Sequence, residues 1–179
     1  MSERVVVRKA EVGDVAAAVE LWTLSHVARR NGRPLPDAHV VLARQRMASP
    51  DSLLLLAHTS EDDDHDVGPE PTPSPAPIGT ILAVQGLDQD GAGPPVPGLL
   101  HISLLSVAPD RWGRHVGRRL VEAVLTRGAA DGFDEAQLWT HADNLRANRL
   151  YKAMGFRRSG RVRVDDWGEL LVHYRRPLT

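Results

Sequence analysis

Apolar positions along this chain switch between two periods, and the switches mark out strands and helices. Val5–Lys9 is a short β-branched run suited to a pleated surface. From Val15 to Arg30, the residues Val15, Val19, Leu21, Trp22 and Val27 gather on one helical face, with Asp14 standing where a cap belongs. A second helix is predicted over Ala38–Ala48, after the Pro34–Pro36 turn. Ser52–His58 is apolar and bounded by Pro50 and an acidic run, which predicts a buried strand, and Ile78–Gln85 reads as its hairpin partner. Leu99–Val107 is a further strand, ended by Pro109. The helical period returns over Arg114–Ala130, with Val116, Leu120, Val121, Val124 and Leu125 on the buried side. A strand at Ala136–Thr140, a helix at Asn144–Met154 and closing strands at Phe156–Val164 and Glu169–Tyr174 complete the pattern.

The resulting order is β-α-α-β-β-β-α-β-α-β-β. A strand–helix–strand unit needs a right-handed crossover, so the strands at 99–107 and 136–140 are expected to be parallel neighbours, with the rest pairing as antiparallel meanders. That predicts an α/β (α+β) fold: a mixed, mostly antiparallel sheet with helices on both faces in three layers. Two stretches interrupt it. Ser60–Pro77 joins an acid run to prolines at 69, 71, 73, 75 and 77, with too little apolar content to offset ordering entropy, and reads as a disordered insertion. Asp88–Gly98 is Gly/Pro-rich and reads as a loop. Neither separates halves that could each form a core, so residues 1–179 are expected to be one domain.

Composition agrees. A chain of 179 residues, 42% apolar and 25% charged, fits one ordinary globular domain. The absence of cysteine removes disulfides, thiolate zinc sites and cysteine nucleophiles together. No apolar run approaches the ~20 residues of a membrane helix, and the opening MSERVVVRKA lacks the apolar core of a secretory signal. A soluble, cytoplasmic protein with no membrane partner is the expectation. The net charge of −1 conceals an asymmetry: residues 61–70 hold six acids and no base, leaving +5 on the rest. That is too mild for a nucleic-acid protein. Only Lys9 and Lys152 are lysines, so twenty of the 22 basic residues are arginine. Coding bias is the simpler reading of that excess, and anion binding through arginine's planar fork is the functional one.

Two segments carry chemistry. In Val107–Leu120 (VAPDRWGRHVGRRL) a strand ends, a turn containing Gly113 follows, and a helix starts. The free N–H groups of such a turn and of the first helical turn form an anion site on the positive end of the helix dipole. Gly113 and Gly117 let an anion approach the backbone, and Arg111, Arg114, Arg118 and Arg119 surround it; a diphosphate is the natural ligand. The turn is neither a Walker loop nor a dinucleotide fingerprint, and alone it is equally consistent with an ordinary connection bearing surface arginines. In Asn144–Phe156 (NLRANRLYKAMGF), Asn144, Ala147 and Tyr151 share one helical face, and Gly155 ends the helix. Singly, Tyr151 reads as core and Asn144 as a cap.

Together, in this order, the segments resemble the GNAT superfamily of acetyl-CoA-dependent N-acetyltransferases. Val107, Pro109 and Trp112-Gly113-Arg114-His115-Val116-Gly117 correspond to its V-x-P and Arg/Gln-x-x-Gly-x-Gly/Ala motif, with Trp112 in place of Arg or Gln and His115 in place of the middle glycine. Asn144, Ala147, Leu150, Tyr151, Gly155 and Phe156 satisfy every position of N-x-x-A-x-x-L-Y-x-x-x-G-F. VVVRKAEVGDVAAAVEL resembles the family's first strand and helix.

The resemblance implies transfer of an acetyl group from acetyl-CoA to a primary amine, of a small molecule or a protein, by direct attack. It implies a bulge near Leu105–Val107 that splays the strand at 99–107 from the one at 136–140. The backbone of Leu105, Ser106 and Val107 would hold the pantetheine arm, and the turn Trp112, Gly113, Arg114, His115, Val116, Gly117 and Arg118 the pyrophosphate. Asn144 would bond the arm and Tyr151 would protonate the departing thiolate as general acid. The β-carbon of His115 would crowd the pyrophosphate, while its N–H survives. A lysine-like amine, pKa ~10.4, is only about 1 part in 2,500 neutral at pH 7, so a general base matters. The candidates before Val107 are His101, Ser103 and Ser106. Strand alternation puts His101, Ser103 and Leu105 on one face, which singles out His101 among them, with an ordinary half-exposed strand histidine the plainer reading of that residue; His141 and His173 are weaker alternatives. Trp22, His26, Arg30 and Trp167 are candidate acceptor walls, with core packing the alternative for each tryptophan. The eight histidines show no H-x-x-x-H spacing, so no metal is predicted. A homodimer accords with the family but nothing in the chain fixes one. Two other readings stand beside this one: a degenerate acyl-CoA-binding or regulatory module, and a nucleotide-dependent enzyme using the same anion turn.

Overall fold

The computed structural model describes residues 4–60 and 75–178. The predicted Ser60–Pro77 insertion therefore lies almost wholly outside the described residues. The elements are β1 (Arg4–Lys9), α1 (Val15–Arg29), α2 (Asp37–Ala48), β2 (Leu53–Ser60), β3 (Gly79–Leu87), β4 (Pro95–Val107), α3 (Val116–Ala130), β5 (Glu135–His141), α4 (Leu145–Ala153), β6 (Arg157–Val164) and β7 (Leu170–Pro177). They form a seven-stranded sheet of order β1-β2-β3-β4-β5-β7-β6. Each adjacent pair is antiparallel except β4–β5, the parallel pair that the crossover rule predicts.

The sheet separates two cores. One face carries Leu55, Ile81, Ile102, Leu138 and Val172 against Leu120, Val121 and Val124 of α3 and Tyr151 of α4. The other packs Leu54, Leu56 and Leu82 against Val19 and Trp22 of α1 and Ala43 and Met47 of α2. Strict alternation along β2 and β3, both covered on each face, explains why they read as continuous apolar runs.

Three local expectations change. Asp14 stands at the N-cap of α1 but does not cap it. Its carboxylate accepts from the Glu11 N–H at 2.8 Å and takes a two-point ion pair from Arg8 at 2.7 and 2.9 Å. Strand β4 begins at Pro95, so the irregular connection is shorter than 88–98. Finally, the bulge is not at Leu105–Val107. Leu82 pairs with Leu104 and Ala83 with Ile102, which leaves Ser103 as the extra residue. One extra residue reverses the phase of everything after it. Ile102 and Leu105 therefore face the α3 core together, while Leu104 faces α1. His101, paired with Val84, lies on the α1 face, so His101 and Leu105 do not share a side.

Candidate active site

Pairing between β4 and β5 runs from Leu99↔Glu135 to Ile102↔Leu138 and stops there. Beyond it, each strand continues alone, β4 to Val107 and β5 to His141. The Ala108 N–H donates to Ile78 O on the β3 side at 2.9 Å, so by strand alternation the backbone of Leu105 and Val107 turns toward the parted edge. A cavity of about 750 Å³ crosses the sheet through this opening.

At one end lies the predicted anion turn. Trp112, Gly113, His115, Val116, Gly117 and Arg118 all line the cavity. Gly113 (φ 79°) and His115 (φ 62°) are both left-handed, which turns the chain sharply into α3. In α3, the N–H groups of Val116, Gly117 and Arg118 have no preceding turn to accept them. Gly117 is small for a reason: a β-carbon there would come within 3.3 Å of Leu150. The Trp112 indole N–H donates to Val107 O at 2.9 Å, and Arg146 of α4 stacks 3.8 Å from the Trp112 ring. Trp112 thus ties the end of β4, the turn and α4 together and uses the Val107 carbonyl, leaving the Val107 N–H and both Leu105 groups on the open edge. Arg114 and Ser106 do not line the cavity. Ser106 is buried, its hydroxyl without a partner, on the edge that pairs with β3.

Helix α4 forms the adjoining wall. The Asn144 side chain accepts from the Ala147 N–H at 3.2 Å and so caps α4 while facing the cavity. Tyr151 is 5% exposed, packed edge-on to Phe156 and beside Tyr174. Burial raises its phenol above the usual value. Arg146 and Arg149 join Arg111 and Arg118 around this end; the sequence reading missed the two from α4 because their helical face was not assigned.

The other end holds three histidines. His101 and His26 are pushed down to about 4 by burial, with Arg163 and Arg46 adding to the effect at His101 and Arg29 at His26. His101 Nδ1 is buried without a partner. His141 is held differently: its Nε2 lies 3.0 Å from Asp165 and 2.9 Å from Glu169. Asp165 is itself fixed by the N–H groups of Trp167 and Glu169. No linear spacing reveals this trio, which the β6–β7 turn brings to the end of β5. Its donor atoms lie within 4.8 Å of one another, a grouping that could hold a cation; Arg29 at 3.2 Å and Arg30 at 3.7 Å already supply positive charge to Glu169. His173 has both ring nitrogens engaged, by Ser159 and Gln137. Of the candidate walls, His26 lines the cavity, whereas Trp22 is buried in the α1 core and Trp167 packs against that core, His39 and Arg30.

A sequence model of the acetyltransferase (GNAT) family matches residues 32–156. The chain belongs to this family. It is 27% identical over 158 residues to a mycothiol acetyltransferase of Frankia casuarinae, covering 88% of this chain but 37% of that protein, so the chain spans little more than a third of that relative. Its fold matches the ribosomal-protein-S18-alanine N-acetyltransferase of Escherichia coli with a TM-score of 0.68, 16% identity and coverage of 98% and 95%. It also matches the PaiA N-acetyltransferase of Thermoplasma acidophilum, solved with coenzyme A, with a TM-score of 0.62, 16% identity and coverage of 97% and 98%. No described helix is long and apolar enough to cross a membrane.

Proposed function

We propose that this protein transfers the acetyl group of acetyl-CoA to a primary amine. The observation that carries this reading is the parting of β4 from β5 beyond Ile102 and Leu138, with one cavity passing through it from the anion turn to the histidines. The residues present suit the donor. The left-handed turn and the first N–H groups of α3 match a diphosphate, Arg111, Arg118, Arg146 and Arg149 add charge, and the Val107 N–H with both backbone groups of Leu105 offers an extended arm a strand to join. When bound, acetyl-CoA supplies an activated acetyl thioester.

Tyr151 stands on the α4 wall of the opening, and its raised value keeps the phenol protonated at any working pH. A thiol near pKa ~8.5 is the stronger acid. Tyr151 therefore serves as general acid by donating a hydrogen bond to the sulfur as negative charge develops on it. The incoming amine loses its proton to a histidine. His101 is neutral and unpartnered, but its low value makes it a weak acceptor. His141 offers the better geometry, since carboxylates at its Nε2 hold that nitrogen as the donor and leave Nδ1 to receive a proton.

The test joins a thermal shift with acetyl-CoA to thiol release across an amine panel. Turnover is expected, with Tyr151→Phe lowering kcat about 100-fold at an unchanged KM for acetyl-CoA. His141→Asn is expected to lower kcat more than His101→Asn. A shift with acetyl-CoA but no thiol release on any amine would instead favour the acyl-CoA-binding module, and a shift with ATP alone the nucleotide enzyme.

A further inference from the structure

The residues lining the cavity include seven arginines and no aspartate, glutamate or lysine. Four of those arginines, at positions 111, 118, 146 and 149, surround the anion turn. The remaining three, Arg29, Arg46 and Arg163, lie at the histidine end, where a bound diphosphate does not account for them. Arg29 is neutralised by Glu169 at 3.2 Å and Asp143 at 3.6 Å. Arg46 and Arg163 have no carboxylate within ion-pair distance among the described residues, unlike their neighbours on β6 and β7, where Arg161 pairs with Asp90 and Arg175 with Glu135. Arg163 is stacked 4.7 Å from the centre of the Trp139 ring, which orients its fork. Arg46 comes from the opposite wall, in the last turn of α2. His101 lies within the field of both.

An acceptor with a second cationic group would meet two guanidinium groups here, and the nearest carboxylates, Asp165 and Glu169, lie outside the cavity lining and are already engaged by His141, Arg29 and Arg30. An acceptor carrying an anion would meet two unmatched guanidinium groups from opposite walls. Building on the acetyltransferase reading above, we propose that the acceptor is a small amine bearing an oxyanion, carboxylate or phosphate, which Arg46 and Arg163 hold while the amine points past His101 and His141 toward the parted strands. The same positive field favours the neutral form of the bound amine, the form that can attack.

The experiment compares matched acceptors: amino acids against their carboxamides, β-alanine against 2-aminoethyl phosphate, and a polyamine. The carboxamides carry the less basic, more available amine, so intrinsic reactivity runs against the expected order. The expected result is a kcat/KM at least about tenfold higher for the acid than for its amide, a gap of about 1.4 kcal/mol. The β-alanine and phosphate arms then identify the anion. Arg46→Gln and Arg163→Gln should each raise KM for the anionic acceptor several-fold while leaving KM for acetyl-CoA and for the amide unchanged. Equal or better use of the amide or polyamine, or variants that affect acid and amide alike, would overturn the proposal. If no amine is turned over, the acetyltransferase reading fails on its own. Thermal shifts of the CoA-loaded protein with the N-acetylated acid and amide then still decide: a larger shift with the acid, lost in Arg46→Gln, supports the anion site, and equal shifts sink it.

Discussion

His115 adopts φ 62°, ψ 8° at the entrance to α3, a left-handed conformation that costs an ordinary L-residue about 1–2 kcal/mol. Read from sequence, the difficulty at this position was a β-carbon crowding a phosphate; the backbone supplies a second constraint, because glycine adopts such angles freely. Histidine, with Asn and Asp, is among the side chains that tolerate them best. His115→Val should therefore lower the melting temperature by about 3–6 °C. His115→Gly should leave it nearly unchanged, since relief of the conformation is offset by greater freedom of the unfolded chain; a differential melt of the three proteins checks both. Asn144 shows how two readings of one residue can coexist, because it caps α4 with its carbonyl and still faces the cavity. Tyr151 was placed by a spaced motif and is found on the cavity wall. The His141 trio was hidden because its carboxylates follow 24 and 28 residues later and meet it only through the β6–β7 turn. Arg46 and Arg163 were indistinguishable from the other arginines until their missing partners became visible.

Element types were legible almost throughout, because most helices and strands carry an apolar period, β6 (RRSGRVRV) being the exception, exposed along its whole length. The internal phase of β4 was not. A bulge adds a residue without altering composition, so the apolar run Leu99–Val107 gives no sign that Leu100 and Ile102 share one core with Leu105 and Val107 across a change of phase, and the assignment of His101 and Leu105 to one side failed at Ser103. The parted edge makes a measurable statement about this strand. Amides of Leu105 and Val107 should exchange rapidly with solvent in the free protein and slow by about tenfold or more with acetyl-CoA, while that of Ser106, on the β3 side, is slow in both states. Residue-resolved hydrogen exchange reads this directly, and unchanged rates at Leu105 and Val107 would show that no arm pairs with the strand.

At the scale of the whole molecule, the mixed sheet with one parallel pair followed from the order of elements and the handedness of crossovers, whereas the cavity did not, since it belongs to no single element. Burial also gives the molecule a common response to acid. His26, His101 and His173 are each lowered to about 4, mainly by burial. The unfolded chain protonates such residues near pH 6.5, so between about pH 6.5 and 4 it binds more protons than the folded one. Stability from these residues is thus fully present above pH 6.5 and lost as pH falls toward 4. Asp14, lowered to about 2 by its bond from Arg8, acts in the same direction at lower pH. Melting curves should show a steep fall below pH 6, and a flat profile from pH 6.5 to 5 would contradict the burial of these imidazoles. The seam between β4 and β5 has one more consequence, which concerns time. Residues 4–130 contribute β1–β4 and the first three helices, whereas β5, α4, β6 and β7 all come from 135–178, joined to the rest of the sheet by four residue pairs. As the chain leaves the ribosome, the anion turn emerges before Trp139, His141 and Tyr151 exist to face it, and the edge of Leu99–Ile102 waits uncovered. Residues 135–178, made after the rest of the sheet, therefore perform two tasks in one event, closing an edge that could otherwise recruit a foreign strand and completing the far wall of the cavity.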